Sequence, residues 1–220
     1  MKQSILFILA ITISISLFSQ AESSDPKAKV LLDKVKKQFT GYKTVQIDFS
    51  IETESGEHKK SSEKGQLIQS GKNYRVALNS LTSFSDGKSV WTYLKKNKEI
   101  QVTNAGSKEV APFVSPQEMI NIYQNKEFIY AITNESKQAN GTITEIEFKP
   151  TTKRTDYFKI RLQVNNKTLQ ITEAIAFYKD GTRQTIKISK LTNNPSVPAS
   201  TFTYDAKEWP GIHVEDLRVD

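Results

Sequence analysis

Residues 84–93 read Phe84-Ser85-Asp86-Gly87-Lys88-Ser89-Val90-Trp91-Thr92-Tyr93. Asp-Gly between two apolar runs is the strongest short-range signal for a β-hairpin, because glycine adopts the positive φ that a tight primed turn requires. The residues after the turn alternate, so Trp91 and Tyr93 project to one face of a strand and Val90 and Thr92 to the other. Two large aromatic rings on one face have to pack against a core or a ligand. The stretch therefore predicts an antiparallel hairpin with an aromatic surface.

The triplet Gly87-Lys88-Ser89 resembles the end of a phosphate-binding loop, but the rest of that motif does not follow. The motif needs a glycine five residues before Gly87, and Thr82 occupies that position. It also needs a helix directly after the loop, where the alternation predicts a strand. A nucleotide-binding loop is therefore excluded.

The N-terminus has the pattern of a secretory signal peptide. Lys2 precedes an apolar run of about 14 residues from Ile5 to Phe18, which is shorter than the ~20 residues of a membrane-spanning helix. Small residues follow in Ser19-Gln20-Ala21, although cleavage after Ser19 or Gln20, or an uncleaved anchor, also fits the pattern. We predict a signal peptide over residues 1–21 that is cleaved, and export to the periplasm of a cell with two membranes.

The sequence contains no cysteine. An exported chain without cysteine forms no disulfide, so its packed core alone has to hold the fold. It also lacks the cysteine that carries the acyl anchor of a lipoprotein. We predict that residues 22–220 form one soluble domain, a length that suits a single all-β fold.

The formal net charge is +7, and cleavage after residue 21 removes only the charge of Lys2. This positive excess favours encounters with acidic surfaces, including anionic lipid head groups. An exported chain with no zinc motif and no basic recognition helix is a poor partner for nucleic acid, so we predict no nucleic-acid binding.

Hydrophobic periodicity predicts one helix followed by a long series of strands. Asp25 is a helix cap and Pro26 a first helical residue, and Gly41 ends the helical pattern with a residue able to take positive φ. From residue 44 the period changes to two, and turns such as Asn140-Gly141 separate the alternating segments. We predict a mainly β fold of about ten or eleven antiparallel strands, the last of them at Phe202-Thr203-Tyr204.

Residues 104–126 interrupt the strands. Val110-Ala111-Pro112-Phe113-Val114 is apolar, and Ser115-Pro116 starts a short helix whose surface is mostly apolar. An apolar excursion between strands is a place for a lid over a binding cavity. It could equally be a plug of ordinary core, and the pattern leaves both open.

The sequence shows no constellation of catalytic or metal-binding residues. His58 and His213 are far apart in the chain, and a zinc site needs three or four ligands. There is no Gly-x-Ser-x-Gly elbow and no thiol nucleophile. Carboxylates such as Glu145 and Glu147 fall on strand positions that face solvent, so a glycosidase pair is not indicated, although the sequence alone does not exclude one. We predict a binding protein rather than an enzyme, with no metal and no cofactor.

A long meander of alternating strands has one apolar face to bury. If the sheet curls into a barrel too wide for its side chains to fill, that face lines a ligand cavity. A filled core or a sandwich produces the same periodicity. Pattern alone therefore leaves a cavity and a filled core as equal alternatives.

Several segments resemble the family of periplasmic lipoprotein carriers, LolA. Residues 85–93 are similar to that family's Ser-Asp-Gly-Lys turn, which is followed by a tryptophan and another aromatic residue. Gln101-Val102-Thr103 fits the next strand, and Ala111-Pro112-Phe113 fits the start of the family's middle helical segment. Residues 202–218 resemble its closing strand and tail. The matches run in order across nearly the whole mature chain.

The resemblance implies an incomplete, half-open barrel of antiparallel strands with an N-terminal helix and a short middle helix that acts as a lid. Its cavity would hold the acyl chains of lipoproteins destined for the outer membrane. The carrier would be a monomer that receives cargo from an inner-membrane lipoprotein-releasing ABC transporter and delivers it to an outer-membrane acceptor. The residues expected to line the cavity or lid are Leu32, Val35, Phe49, Tyr74, Val76, Trp91, Tyr93, Phe113, Met119, Ile120, Tyr123, Phe128 and Tyr130.

Two other functions stay open at this point. The same fold would suit an exported regulatory protein that senses lipoproteins or glycolipids and passes the signal to a membrane protein. A stable protein partner that survives purification would indicate this function. An exported hydrolase would instead depend on a single essential carboxylate.

One position departs from the family's pattern. The family has an arginine on an early strand whose hydrogen bonds to the lid help to hold the empty cavity shut. Aligned from Gly65, that position is Gly71, which has no side chain to donate such bonds. Arg75 lies four residues later and would substitute only if the turn were remodelled. We therefore assign no lid-closing arginine from the sequence.

Overall fold

A computed structural model of the chain describes residues 23–56, 59–105 and 116–218. The predicted signal peptide lies outside these residues and stays a prediction. The described helices are α1 (Pro26–Thr40) and α2 (Pro116–Asn121), with short 3-10 turns at Ile122–Gln124, Ala199–Phe202 and Ala206–Glu208. The described strands are β1 (Thr44–Ser55), β2 (Lys59–Ser70), β3 (Asn73–Leu78), β4 (Leu81–Ser85), β5 (Ser89–Leu94), β6 (Glu99–Asn104), β7 (Phe128–Gln138), β8 (Gly141–Pro150), β9 (Tyr157–Asn165), β10 (Gln170–Tyr178), β11 (Arg183–Asn193) and β12 (His213–Asp216).

The strands form one open sheet with the order β12-β6-β5-β4-β3-β2-β1-β11-β10-β9-β8-β7. The long strand β1 pairs with β2 on one side and with β11 on the other. Because β12 and β7 lie at opposite edges, the sheet is not closed, and the predicted half-open, mainly β architecture is confirmed. The described residues form twelve strands rather than the ten or eleven predicted, and two further details differ. Phe202 lies in a 3-10 turn rather than in the last strand, and the last strand, β12, pairs with β6 in parallel.

The Asp-Gly turn forms the predicted hairpin between β4 and β5. Gly87 has a φ of +87°, and Asp86 Oδ1 accepts hydrogen bonds from the backbone N–H groups of Lys88 and Ser89, both at 2.9 Å. Burial alone would raise the pKa of Asp86, but these hydrogen bonds lower it. A short side chain that satisfies two turn amides, followed by glycine at positive φ, explains why the chain reverses here.

Helix α1 begins as predicted. Asp25 Oδ1 accepts a hydrogen bond from the backbone N–H of Lys27 at 2.7 Å, and Pro26 takes the first helical position, where its missing N–H has no cost. The helix ends at Thr40, and Gly41 follows as its C-cap. The φ of Gly41 is −75°, so the positive φ expected for this glycine is not observed. Among the described residues, no helix is both long and apolar enough to cross a membrane.

Both helices pack on one face of the sheet, here called the inner face. Buried side chains of α1 and α2 form the larger apolar core with those of β7 to β11. A smaller core continues over β1 to β3 and contains Val45, Ile47, Leu67, Val76 and Leu78. Fully burying a Leu, Ile or Phe side chain contributes about 1.5–3 kcal/mol, so these cores supply the stabilisation that a chain without disulfides needs.

A β-bulge in β10 changes the faces expected from the sequence. Simple alternation places Ile171, Ile175 and Phe177 on one face, but the register shifts between Ile171 and Glu173. Ile171 therefore stays in the inner core, whereas Ile175 and Phe177 turn to the opposite, outer face. The inner positions after the bulge belong to Ala174 and Ala176, which are buried in the larger core.

The C-terminal segment covers the outer face of β3 to β6. The Trp91 ring stacks on Phe84 with a centroid distance of 5.7 Å and on Tyr204 at 6.3 Å. Tyr93 makes an edge contact with Trp209 at 4.7 Å. Such aromatic pairs contribute about 0.5–1.5 kcal/mol beyond their buried area. The aromatic surface predicted from the hairpin is therefore covered by the chain's own C-terminal segment, which leaves Trp91 and Tyr93 half-buried.

Candidate functional site

The inner face contains an apolar cavity under the C-terminal half of α1, here called the inner cavity. Its walls come from α1, α2, β1, β2, β10 and β11, and its lining is almost entirely hydrocarbon. The lining residues are Val35, Gln38, Phe39, Tyr42, Ile47, Phe49, Ile51, Leu67, Met119, Ile120, Leu169, Gln170, Ile171, Ile186, Ile188 and Leu191.

The inner cavity is nearly filled by its own side chains. Its free volume is about 50 Å³, which is room for only a few water molecules, whereas pockets for drug-sized ligands measure about 300–1,000 Å³. A ligand therefore enters only if part of the wall moves. The strands in the wall are each paired on both sides, so α1 and α2 are the elements that can move at the lowest cost.

Hydrogen bonds at the rim tie α1 to the 3-10 turn that follows α2. Tyr123 Oη donates to Asp33 Oδ1 at 2.8 Å, and Lys36 Nζ donates to Gln124 Oε1 at 2.5 Å. Hydrogen bonds from Lys29 and from Tyr123 lower the pKa of Asp33, while burial and the Asp33 carboxylate raise the pKa of Tyr123. At neutral pH the bond thus joins a charged carboxylate to a neutral phenol, which makes it a charge-assisted hydrogen bond.

Arg75 takes no part in this closure. Its pairing partner across β3 and β4 is Phe84, and its guanidinium carbon lies 5.6 Å from the centre of the Phe84 ring on the outer face. Gly71 lies in the turn between β2 and β3, with a φ of +60°. Neither position therefore supplies the lid-closing arginine that the family resemblance implied, and the rim bond between Tyr123 and Asp33 ties the helical segments.

The structure brings together most of the residues predicted for the cavity and lid. Those that line the inner cavity are Val35, Phe49, Met119 and Ile120. Those buried in the larger core beside it are Leu32, Tyr123, Phe128 and Tyr130. Those in or against the smaller core are Tyr74 and Val76. Phe113 lies outside the described residues, and contact of any of these residues with cargo stays a prediction.

Trp91 and Tyr93 do not line the inner cavity, contrary to expectation. Both pair with outer-face residues of β4 and β6, and Trp91 lies opposite Phe84 on one side and Val102 on the other. The alternation of β5 correctly separates the two faces. It does not reveal which face the helices cover, because the C-terminal segment buries the outer face as well.

The lining residues that sequence reasoning missed come mainly from β1, β10 and β11. Ile47 and Ile51 belong to the clean alternation of β1, and Ile186 and Ile188 to that of β11, so an apolar signal was present. These positions become one wall only because β1 pairs with β11. Leu169 had an apolar signal too, because it alternates with Ile171, but it lies in the turn between β9 and β10 rather than in a strand.

The described residues offer no metal centre. No group of three or more His, Asp or Glu side chains among them could hold a metal ion, and the exposed His213 only meets Glu215, at 3.2 Å. Glu147 accepts hydrogen bonds from Arg161 and Lys159 at 2.6 Å and 3.1 Å on the outer face. Burial alone would raise the pKa of Glu147, but these bonds lower it. A carboxylate kept charged in this way links β8 to β9.

The chain is similar to several solved structures. An uncharacterized conserved protein from Thermus thermophilus superposes with a TM-score of 0.58 at 11% identity, over 86% of this chain and 99% of that chain. A LolA superfamily protein from Nitrosomonas europaea gives a TM-score of 0.43 at 13% identity, over 81% and 98% of the two chains. LprF from Mycobacterium bovis gives 0.48 at 11% identity, over 80% and 98%.

The comparison with curated proteins gives no match. The family model of the outer membrane lipoprotein carrier protein LolA matches residues 40–205. This range contains β1 to β11 and every lining residue of the inner cavity outside α1. Since the match extends over well more than half of the chain, the protein belongs to the LolA family of outer membrane lipoprotein carrier proteins.

Proposed function

We propose that the chain is a carrier that binds the acyl chains of lipoproteins in the inner cavity and moves them from the inner to the outer membrane. The observation that carries this proposal is a nearly filled cavity with a hydrocarbon lining, under helices that polar bonds hold at the rim. Membership in a family described as outer membrane lipoprotein carriers supports the same function.

Energetics favour a cavity that has to open. Burial of acyl groups contributes roughly 0.8 kcal/mol per methylene, so ten enclosed methylenes would contribute about 8 kcal/mol. A cavity that stood open and enclosed two or three whole chains would hold them too tightly for delivery. Here, the free energy needed to separate α1 and α2 from the wall is subtracted from the gain of acyl burial, and this lowers the net affinity. A nearly filled resting cavity therefore suits transfer between membranes better than permanent storage.

The proposal also includes a location and two partners. The predicted signal peptide and the absence of cysteine fit a carrier that works in the periplasm without a lipid anchor. Cargo would come from an inner-membrane lipoprotein-releasing ABC transporter and would pass to an outer-membrane acceptor. The carrier would act as a monomer, and the transfer needs no catalytic group and no cofactor.

Binding of a diacylated lipopeptide to residues 22–220 tests the coarser part of the proposal. Ile188 lines the inner cavity, whereas Ile175 lies on the outer face of the neighbouring strand, and both side chains are half-buried. We expect Ile188→Gln to weaken binding about tenfold, which corresponds to about 1.4 kcal/mol of lost apolar contact. The matched control Ile175→Gln should bind like the wild-type protein.

Two results would contradict the assignment of the inner cavity. One is an equal loss of affinity in both variants, and the other is a folded wild-type protein that does not bind the lipopeptide. A purified protein that retains a glycolipid and a stable protein partner would favour the sensing function instead.

A further inference from the structure

A second, roomier cavity runs along the N-terminal half of α1, here called the lateral groove. It lies between the helix, the edge strand β7 and the turn that joins β9 to β10, and its volume is about 500 Å³. Val30, Leu31, Ile132 and Leu169 supply its apolar surface. Val30 is 55% exposed, an unusual environment for a large apolar side chain on a helix otherwise rich in lysine.

Leu169 belongs to both cavities. It lines the lateral groove together with Leu31 and lines the inner cavity together with Val35, one helical turn further along α1. The Leu169 side chain is therefore part of the partition between a groove open to solvent and a nearly filled apolar cavity.

The backbone at Leu169 is strained. Its φ is +52°, a left-handed conformation that glycine or asparagine adopts more easily than leucine. The other non-glycine residues at positive φ in the described chain are Lys98 and Asn194, which line neither cavity. Leucine at this turn position costs free energy in the backbone, but it keeps an apolar side chain at the partition.

The rim of the lateral groove leaves two cations for a ligand. Lys27 and Lys34 line it, and neither forms a salt bridge with another described residue. The two carboxylates of the groove are already hydrogen-bonded within the chain. Asp25 accepts from the N–H of Lys27, and Glu135 accepts from the hydroxyl of Thr144 at 2.9 Å.

We propose that the lateral groove is the entrance for one acyl chain of an amphiphile and that Leu169 is the gate into the inner cavity. The inference rests on the proposed function, since it concerns how cargo reaches the inner cavity. The occupant is a hydrocarbon chain that carries an anionic or carbonyl-rich polar end. Its hydrocarbon packs on Val30, Leu31 and Ile132, and its polar end accepts hydrogen bonds from Lys27 and Lys34.

One hydrogen bond holds the gate closed from the helix side. Gln38 Nε2 on α1 donates to the carbonyl oxygen of Thr168, the residue before Leu169, at 2.7 Å. This bond is exposed to water, so it breaks at little cost when α1 and the turn separate. A small separation here moves Leu169 out of the partition without disturbing the strands.

Stopped-flow uptake of 11-(dansylamino)undecanoic acid, a fluorescent anionic fatty acid, tests the gate. Leu169→Gly relieves the positive φ and removes the partition, so uptake should be about ten times faster, the effect of lowering a barrier by about 1.4 kcal/mol. Leu169→Trp enlarges the partition, so uptake should be about ten times slower. Lys98→Gly relieves the same backbone conformation far from both cavities and should leave the rate unchanged.

A charge substitution in a protein that keeps Leu169 tests whether the rim of the lateral groove binds the polar end of the ligand. Lys34→Glu should weaken equilibrium binding of the same fatty acid about threefold or more, because a cation at the polar end becomes an anion. Lys37→Glu makes the same change on the exposed surface of α1, outside the groove, and should have a smaller effect. Melting temperatures establish that each variant is folded.

The outcomes separate the gate from the proposed function. If the wild-type protein takes up the fatty acid but both Leu169 variants keep its rate, the gate is overturned and acyl chains enter elsewhere. If Lys34→Glu and Lys37→Glu weaken binding equally, the lateral groove does not hold the polar end. If the folded wild-type protein takes up neither the fatty acid nor a diacylated lipopeptide, the proposed function falls and the gate with it.

Discussion

Replacing Tyr123 by phenylalanine removes one hydroxyl group from the rim of the inner cavity. That hydroxyl donates to Asp33 Oδ1 at 2.8 Å and ties the 3-10 turn after α2 to α1. The ring itself is buried in the larger core and packs edge-on against Tyr130 with a centroid distance of 6.3 Å. Tyr123→Phe keeps this packing, so its effect isolates the rim bond.

The two expected effects have opposite signs. Hydrogen bonds to charged groups contribute about 1.5–3 kcal/mol, but the Asp33 side chain is 45% exposed, and water replaces part of the lost bond. We therefore expect the free energy of unfolding to fall by about 1–1.5 kcal/mol. If cargo entry breaks the same bond, the variant no longer loses that energy on opening, and acyl affinity should rise about five- to tenfold.

Chemical denaturation and lipopeptide titration measure these two effects on the same samples. Tyr178→Phe is the control, because its hydroxyl makes a 3.4 Å contact with Gln184 away from the rim, and it should leave acyl affinity unchanged. A double-mutant cycle of Tyr123→Phe with Asp33→Ala should show coupling of similar size in both measurements. Loss of stability without any gain in affinity would refute the role of this bond in opening.

Three other sites give expectations of different kinds. Gly65→Ala should lower the free energy of unfolding by about 1–3 kcal/mol in chemical denaturation, because a Cβ there would lie 2.5 Å from the Phe49 ring and 2.6 Å from Leu78; an unchanged midpoint would contradict the packing described. Burial raises the pKa of Glu173 in the folded protein. Above that pKa the half-buried side chain is charged, and this lowers the free energy of unfolding. Glu173→Gln should therefore raise the melting temperature at about pH 7 and have little effect at about pH 3, below the unfolded pKa, whereas equal effects at both pH values would contradict the burial. Tryptophan emission should stay nearly constant when an acyl ligand fills the inner cavity, because Trp91 lies on the outer face under Tyr204; a large shift would place the ligand elsewhere.

Local signals predicted much of the fold. The Asp86-Gly87 hairpin and the cap of α1 by Asp25 follow directly from the sequence, because each depends on a few adjacent residues. The alternation of β1 and β9 also identified several buried positions, since Val45 and Ile47 and then Ile160 and Leu162 are buried, but it placed Phe158 among them, and that side chain is 53% exposed. The half-open arrangement of the sheet came from the family resemblance rather than from these local patterns.

Non-local contacts set the limit of prediction. The bulge in β10 turns Ile175 and Phe177 outward. Glu173 interrupts the apolar alternation at this point, but the interruption alone does not show that the strand contains an extra residue. Trp91 and Tyr93 were expected at the cavity because large aromatic rings need cover, but the C-terminal segment supplies that cover on the outer face. The alternation of Leu169 with Ile171 showed an apolar position, but its place between the two cavities depends on where α1 packs.

Release of lipoproteins from spheroplasts tests the carrier function most directly. Residues 22–220 are incubated with spheroplasts whose inner membranes hold newly made lipoproteins, and the supernatant is examined for one-to-one complexes with this protein. The carrier function predicts that lipoproteins appear in the supernatant only when the protein is present, and that Ile188→Gln releases less than Ile175→Gln. A folded protein that releases no lipoprotein, although it binds acyl ligands, would contradict carriage.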